Sequence, residues 1–243
     1  MNRYGLIGRS LKHSFSKTFF EAYFYENNIN ASFELFELAQ PETIPRILSQ
    51  NIDGLCVTIP YKEQVVSLLD ELSDEARLIG AVNVLKPCNG KWIGHNSDAY
   101  GFHQSIKPFL TSAHEHALIL GTGGASKAVQ FVLKNLGITC FFLSRFPKGN
   151  SQFSYDACNE HMISACKLIV NCTPIGTYPM VNETPEIPFQ YLTDQHLVID
   201  LVYNPPQSLF LKNAFLQGAT TLNGASMLSH QALKAWEIWN EQY

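Results

Sequence analysis

The sequence has no C-x-x-C pair among its six cysteines and no H-E-x-x-H among its eight histidines, which removes the commonest zinc signatures. His114 and His116 come closest to a ligand pair, but two ligands do not make a site, and no metal is expected. No stretch approaches about 18 uninterrupted apolar residues, so no membrane-spanning helix is expected. A basic excess is also missing: 17 Lys and Arg stand against 21 Asp and Glu, a net charge of −4, which gives no electrostatic footprint for nucleic acid. There is no internal repeat and no low-complexity tract. The opening MNRYGLIG enters a strand-like run without the apolar segment and cleavage site of a secretory leader. Several cysteines lie inside apolar runs, as small hydrophobes do, so a reduced, cytoplasmic chain is expected. No extension is expected beyond the last helix.

What is present suits two modest domains. The chain has 243 residues, 46% hydrophobic and 16% charged, enough to bury a core and too apolar for disorder. Residues 4–8 and 31–38 read as strands around a helix in SKTFFEAYFYENN, whose Phe19, Phe20, Tyr23 and Phe24 fall at helical spacing. A short helix in PETIPRILSQ follows, then a strand at 54–59, a helix predicted over 61–72, and strands near 82–87 and 91–95. Asn89-Gly90-Lys91 marks the last pair as a hairpin. A helix then starts at SDAYGF, capped by Ser97 or Asp98. From about residue 116 the rhythm is strict: HALILG, TCFFLS, CKLIVNC and LVIDLV are all-apolar strands separated by helix- or turn-like segments. That pattern predicts an α/β protein with a parallel sheet covered on both faces. A closing helix begins at Gly224. The change of rhythm near 100–115 sets the boundaries: an N-terminal domain 1–100 completed by the helix 225–243, and a second domain 101–224.

In ALILGTGGASKAVQF, a strand, a glycine turn and a helix follow one another, the context that gives a G-x-G-x-x-G pattern meaning. Gly121 allows the tight turn, Gly123 lets backbone approach a pyrophosphate, and the helix start offers free N–H groups. The run Gly121-Thr122-Gly123-Gly124-Ala125-Ser126 ends on serine where the pattern has Gly or Ala. About 20 residues on, an NAD site would present a carboxylate to the ribose. Here Ser144 and Arg145 stand at that place. The missing carboxylate and a guanidinium that can grip a 2′-phosphate favour NADP (as NADPH in the reducing direction), with NAD as the weaker alternative. Lys148 could add a second positive charge.

GLCVTIPYKEQV poses a separate question. An apolar strand is stopped by Pro60, and Lys62 follows where a helix would begin, a placement the helix dipole disfavours. Other polar residues sit at element ends: Ser14 and Ser16 in HSFS, Asn83 in AVNV, Asp98 in HNSD. Each has a structural explanation by itself, as a cap or a satisfied amide. Together they describe a hydroxyl-rich cleft with one lysine and one carboxylate, suited to a polar, hydroxylated small molecule.

These motifs carry a resemblance. HSFS, VTIPYK, GAVNV, NSD, GTGGAS, NCTPIGTYP, DLVYNP and NGASMLSHQA occur in order, and the whole chain resembles the shikimate dehydrogenase family. The resemblance implies an N-terminal α/β substrate domain and a Rossmann-type NADP-binding domain, with the catalytic cleft between them. It implies that Ser14 and Ser16 hold the substrate carboxylate. Thr58, Lys62, Asn83 and Asp98 would meet the ring hydroxyls and the reacting oxygen, and Tyr203 and Gln231 would complete the substrate side. On the cofactor side it implies residues 121–126, Ser144, Arg145, Leu201 and Gly224. Cys56 stands where the family usually has asparagine, and Ser144-Arg145-Phe146 replaces the commoner Asn-Arg-Thr.

The implied reaction is the NADPH-dependent, reversible reduction of 3-dehydroshikimate to shikimate, a step of chorismate and aromatic amino-acid biosynthesis. Negative charge grows on the C3 oxygen as hydride arrives, so a proton donor must be within reach. Lys62 would be that donor, oriented by Asp98, the two acting as a coupled unit. An NAD-using quinate/shikimate dehydrogenase is the alternative enzyme, and the serine pair leans toward shikimate. A non-catalytic dinucleotide- or shikimate-binding regulator would lack the Lys–Asp pair, and both residues are present. The expected partner is the small-molecule substrate, and the expected assembly a monomer or homodimer.

Overall fold

The structure is a computed structural model that describes residues 1–12 and 14–241. His13, the first residue of the HSFS motif, and residues 242–243, the end of the predicted closing helix, lie outside the described residues. The chain divides into two compact units, Met1–Gly101 with the chain from Leu228 on, and Phe102–Met227.

The first unit is built on β1 (Asn2–Gly8), α1 (Phe15–Glu26), β2 (Ala31–Glu37), α2 (Ile44–Leu48), β3 (Gly54–Val57), β4 (Glu71–Leu72), α3 (Asp74–Ile79), β5 (Val84–Cys88) and β6 (Lys91–His95). Its sheet runs β2-β1-β3-β5-β6-β4. β1 is parallel to β2 and β3, so the chain needs a crossover, and α1 supplies it. Phe20 of α1 stacks on Phe33 at 4.9 Å between centroids. Tyr4 stacks at 4.7 Å on Trp239 of the C-terminal helix (Ala225–Asn240). That layer covers one face with Leu6 and Cys56; the other face buries Ile7, Leu55, Val57 and Leu85. With both faces covered, β3 reads as an unbroken apolar run rather than an alternating one. β5 and β6 form the hairpin the sequence marks, and its turn takes Asn89 at φ 52° and Gly90 at φ 78°, the positive pair a two-residue turn requires.

The helix predicted over 61–72 is not there. Residues 64–68 make a short 3₁₀ turn, and the chain then extends into β4, parallel to the edge strand β6. The Trp92 N–H donates to the Asp70 carboxylate at 2.8 Å, and the Asp70 N–H donates to the Trp92 carbonyl at 3.2 Å. Pairing with an open sheet edge outweighs a helical propensity already lowered by Val65 and Val66. Lys62 therefore stands in a turn, and the helix-dipole argument about it does not apply.

α4 (Asp98–Ile106) leads into the second unit, which holds β7 (His116–Leu120), α5 (Gly124–Asn135), β8 (Thr139–Leu143), β9 (Gln152–Phe153), α6 (Glu160–Ala165), β10 (Leu168–Asn171), β11 (Leu197–Asp200), α7 (Leu209–Leu216) and β12 (Thr220–Asn223). All its strands pair in parallel, in the order β12-β11-β10-β7-β8-β9. The order reverses between β7 and β10, the switch point at which doubly wound sheets bind nucleotides. One face buries Leu118, Leu120, Ile169 and Val198 with Phe210 of α7, and the other buries Ile119, Val170 and Ile199. Among the described residues no helix is long and apolar enough to cross a membrane.

Two strands of this unit begin in the same way. The Thr111 N–H donates to Nδ1 of His114 at 2.9 Å before β7, and the Thr193 N–H donates to Nδ1 of His196 at 2.9 Å before β11. His196 Nε2 lies 3.0 Å from the Ile163 carbonyl, so its ring is neutral with the proton on Nε2. These contacts occupy His114 as a structural acceptor. Burial pushes both rings below the usual imidazole value, and an N–H aimed at Nδ1 acts the same way. The stability they lend is present above about pH 6.5 and lost as pH falls further, because the unfolded chain takes up the protons first. Imidazole NMR titration should give midpoints below that value for both residues; a midpoint at or above it for His196 would contradict the assigned tautomer.

Candidate active site

Lys62 is placed by its backbone. After β3 the Thr58 N–H still donates to the Ile7 carbonyl at 2.9 Å, and the chain turns through the cis Ile59–Pro60 bond. The Tyr61 ring is fully buried, with its hydroxyl donating to the Leu38 carbonyl at 2.5 Å. The Lys62 carbonyl accepts from the Val82 N–H at 2.8 Å. Held on both sides, Lys62 brings Nζ to 2.5 Å from Oδ2 of Asp98, and the two side chains are only 14% and 5% exposed. An ammonium has three N–H donors, so this contact leaves donors for a second acceptor.

The sequence offers Asp98 as a helix cap, yet its carboxylate does not cap α4. Asn96 does that work, accepting the Ala99 N–H on Oδ1 at 3.1 Å while its Nδ2 donates to the Ala81 carbonyl at 2.9 Å. Ser97 is also occupied elsewhere: its N–H donates to Oδ1 of Asn83 at 2.7 Å, and its hydroxyl receives Asn83 Nδ2 at 3.0 Å. Asn83 Nδ2 donates as well to Oδ1 of Asp98 at 2.9 Å. Both carboxylate oxygens thus have a fixed partner. Gln231, on the C-terminal helix, brings Oε1 to 3.3 Å from Asn83 Nδ2 and 3.4 Å from the Ser97 hydroxyl. Lys62, Asn83, Asp98 and Gln231 therefore meet in one network joined by Ser97, while Asn96 stands beside it as the helix cap; the sequence does not reveal these two parts.

Ser14 and Ser16 lie on another element, the start of α1. The Ser14 hydroxyl accepts the Lys17 N–H at 3.3 Å as the N-cap, which leaves its own proton for an acceptor. No acidic side chain occupies the first turn of α1, so the helix start favours an anion. Thr58 is half-buried beside the end of β1: a Cβ on Gly8 would lie 2.6 Å from its methyl group. Cys56 points to the opposite face from Leu55 and Val57 and packs in the aromatic layer. Burial pushes its thiol up to about 12, so it is a neutral packing group.

In the second unit the glycine turn sits at the end of β7, beside the strand-order reversal. Gly121 has φ 96°, a left-handed conformation reserved in practice for glycine. Gly123 is the N-cap of α5 and faces open space, and Gly124 and Ala125 form the first turn with no acidic side chain. Ser126 is buried and donates to the Gly123 carbonyl at 2.6 Å, bracing the turn from within. A diphosphate fits this cradle. Ser144 at the end of β8 accepts the Phe146 N–H at 3.2 Å and shapes the following loop, on which Arg145 is exposed. Thr122, Ser126, Lys127 and Lys148 line one cavity beside α5. Lys127 is a cation that in sequence looks like any other helix residue, although it directly follows Ser126. At the end of β12, Gly224 lies so close to the Leu201 carbonyl that no Cβ could be placed there. Tyr203 is half-buried two residues after Leu201, whereas Gln231 belongs to the first unit. Among the described residues no three His, Cys, Asp or Glu side chains gather to hold a metal ion.

A doubly wound unit with its glycine turn, and a unit with a buried lysine–carboxylate pair, define the class: a two-domain, dinucleotide-dependent oxidoreductase. Residues 6–85 match the family model of the shikimate dehydrogenase substrate-binding domain. The shikimate dehydrogenase (NADP(+)) of Desulforamulus reducens is 35% identical over 97% of this chain and 88% of its own. Among solved structures, the shikimate 5-dehydrogenase of Thermus thermophilus in complex with NADP(H) and shikimate matches at a TM-score of 0.87 and 28% identity, over 99% of this chain and 94% of that one. That of Listeria monocytogenes in complex with shikimate and NAD matches at 0.84 and 25%, over 100% and 92%. The chain belongs to the shikimate dehydrogenase family.

Asn96→Ala should remove the α4 cap and strand the Ala81 carbonyl, costing about 1–2 kcal/mol. Urea unfolding measures this; an unchanged midpoint would show that the cap is supplied by another group.

Proposed function

We propose that the chain catalyses the reversible, NADPH-dependent reduction of 3-dehydroshikimate to shikimate, a step of aromatic amino-acid biosynthesis. The observation that carries the reading is the Lys62–Asp98 contact at 2.5 Å, steadied by Asn83, in a chain of this family. The cradle at Gly121–Ser126 suits the cofactor's diphosphate, with Ser144 and Arg145 beside the 2′-phosphate and Leu201 and Gly224 on the same side. When bound, NADPH supplies hydride to the ketone carbon.

The chain's own residues supply the rest. Lys62 donates a proton to the oxygen as charge develops there, and Asp98 keeps the ammonium aimed and takes a hydrogen bond from a neighbouring substrate hydroxyl. In the reverse direction Lys62, once neutral, accepts the hydroxyl proton. Asn83 holds Asp98 in place, and Gln231 holds Asn83. The Ser14 and Ser16 hydroxyls and the α1 N–H groups receive the substrate carboxylate, Thr58 a ring hydroxyl, and Tyr203 completes the substrate contacts. The reading extends to a cytoplasmic protein, supported by six free cysteines, acting as a monomer or homodimer.

Oxidation of shikimate with NADP, followed by absorbance of the reduced nicotinamide, tests the reading, with quinate and NAD run alongside. Absence of turnover with shikimate and either cofactor would refute it. Lys62→Ala should lower kcat by about 100-fold or more with a far smaller effect on shikimate binding; near-normal kcat would remove Lys62 from the chemistry. Arg145→Ala should raise the KM for NADP well beyond that for NAD, and equal rises would count against contact with the 2′-phosphate.

A further inference from the structure

One buried titratable group takes no part in the proton and hydride chemistry. Asp200 closes β11 with no exposed surface, and Asn171, equally buried, closes the neighbouring β10 in register with it. Asp200 Oδ1 accepts Asn171 Nδ2 at 2.9 Å and the Val202 N–H at 3.0 Å, while Oδ2 accepts the Ser208 hydroxyl at 2.5 Å. From each partner a loop is tied down. Asn171 Oδ1 receives both the N–H and the hydroxyl of Thr173, at 3.0 and 2.7 Å, and the Thr173 hydroxyl accepts the Ile175 N–H at 3.3 Å. Ser208 caps α7 by accepting the Leu211 N–H at 3.3 Å. Val202 in turn offers its carbonyl to the Gly224 N–H at 3.3 Å.

The position of these loops gives the cluster its meaning. Thr173 follows β10, the strand beside β7 at the reversal of strand order. A Cβ on Gly121 would lie 3.0 Å from the Thr173 methyl group, so Thr173 is the wall against which the glycine turn is set. The loop after β11 carries Leu201 and Tyr203. One carboxylate thus fixes two neighbouring loops on the β10 side of the crevice in which a dinucleotide would lie, and the nearer of them, through Thr173, backs the glycine turn on the β7 side. Burial pushes Asp200 up to about 6 against the pull of its donors, Ser208 first, and the desolvation cost is one an apolar residue would avoid. Packing needs alone do not ask for it.

We propose that Asp200 is a positioning residue for the dinucleotide: through Asn171 it locks the loop carrying Thr173 against the glycine turn, and through Val202 and Ser208 it holds the neighbouring loop that carries Leu201–Tyr203. The inference rests on the reading of the second unit as the dinucleotide site. Asparagine at 200 would keep one acceptor oxygen for three donors and turn its N–H₂ group toward one of them; facing Ser208, it would take away the acceptor of the hydroxyl proton and force that hydroxyl to accept a second bond beside the one from the Leu211 N–H.

The test is direct titration with NADPH, read by its own fluorescence, on the full-length chain. Circular dichroism at the same temperature establishes that each variant is folded. Asp200→Asn and Ser208→Ala should each raise the Kd about tenfold or more, the effect of leaving a buried polar group unpaired. Thr173→Val should weaken NADPH binding likewise and Thr173→Ser should restore it. Because Asp200 and Thr173 act through one chain of bonds, the Asp200→Asn/Thr173→Val pair should bind no more weakly than its weaker single variant. Folded variants with wild-type Kd, or effects that multiply in the pair, would overturn the proposal. If Asp200→Asn does not fold, Ser208→Ala and Thr173→Val carry the same expectation and the same refutation. A wild type that binds NADPH without oxidising shikimate would sink the functional reading and leave this test intact.

Discussion

The 2.5 Å contact between Lys62 and Asp98 is the constraint around which the first unit is arranged. Two charges this buried do not recommend themselves on stability grounds, because desolvation consumes most of what their attraction supplies. The surroundings reduce that cost without abolishing it. Asn83 donates to the free carboxylate oxygen, and Tyr61 and Val82 fix the turn that carries Lys62. Asn96 takes over the helix cap, so Asp98 has no other hydrogen bond to satisfy at the start of α4. Each neighbour performs a structural duty that would otherwise fall on a member of the pair. That division of labour makes sense if the pair is kept for proton transfer.

The same logic recurs at strand ends in both units. A parallel strand must hand its chain to a crossover at its carboxyl end, and the loop there is free to carry chemistry while the strand stays apolar. β1 leads to Ser14, β3 to Thr58 and Lys62, β7 to Gly121, β8 to Ser144 and Arg145, and β11 to Leu201 and Tyr203. Polar atoms at such ends are braced by others one strand away. Asn83, itself held by Ser97, braces Asp98, as Asn171 and Ser208 brace Asp200.

How far the sequence discloses this depends on the range of the force involved. Apolar strands, the Asn89-Gly90 hairpin and the turn at Gly121 are set by local periodicity and backbone geometry, and they are legible. The segment 61–72 is not, because its extended form comes from pairing with β6, some twenty residues further along. Asp98 is legible as a residue of interest but not as an uncapping one, since a side chain two positions earlier competes for the same N–H. The amide network is the least legible part. Asn83 and Gln231 are 148 positions apart, and only the folded chain brings their polar atoms within reach. Polar residues closing otherwise apolar runs, such as Asn171 in LIVN and Asp200 in LVID, are the nearest thing to a local signal for such networks.

Cys56 shows where a local reading stops and a structural one begins. By sequence it is two residues from Thr58 and six from Lys62, in a stretch otherwise read as catalytic, at a position where the family usually has asparagine. The pleat decides its role: Leu55 and Val57 face one side of the sheet, and Cys56 faces Val84 and Ala232 on the other. Its thiol is fully buried, lies within electrostatic reach of both Lys62 and Asp98, and is held neutral by burial. A neutral thiol contributes neither a strong donor nor a charge to the pair. Orientation of Asp98 therefore falls to Asn83, which reaches it from the adjacent strand connection, and β3 gives the site its direction while Cys56 gives the core its packing.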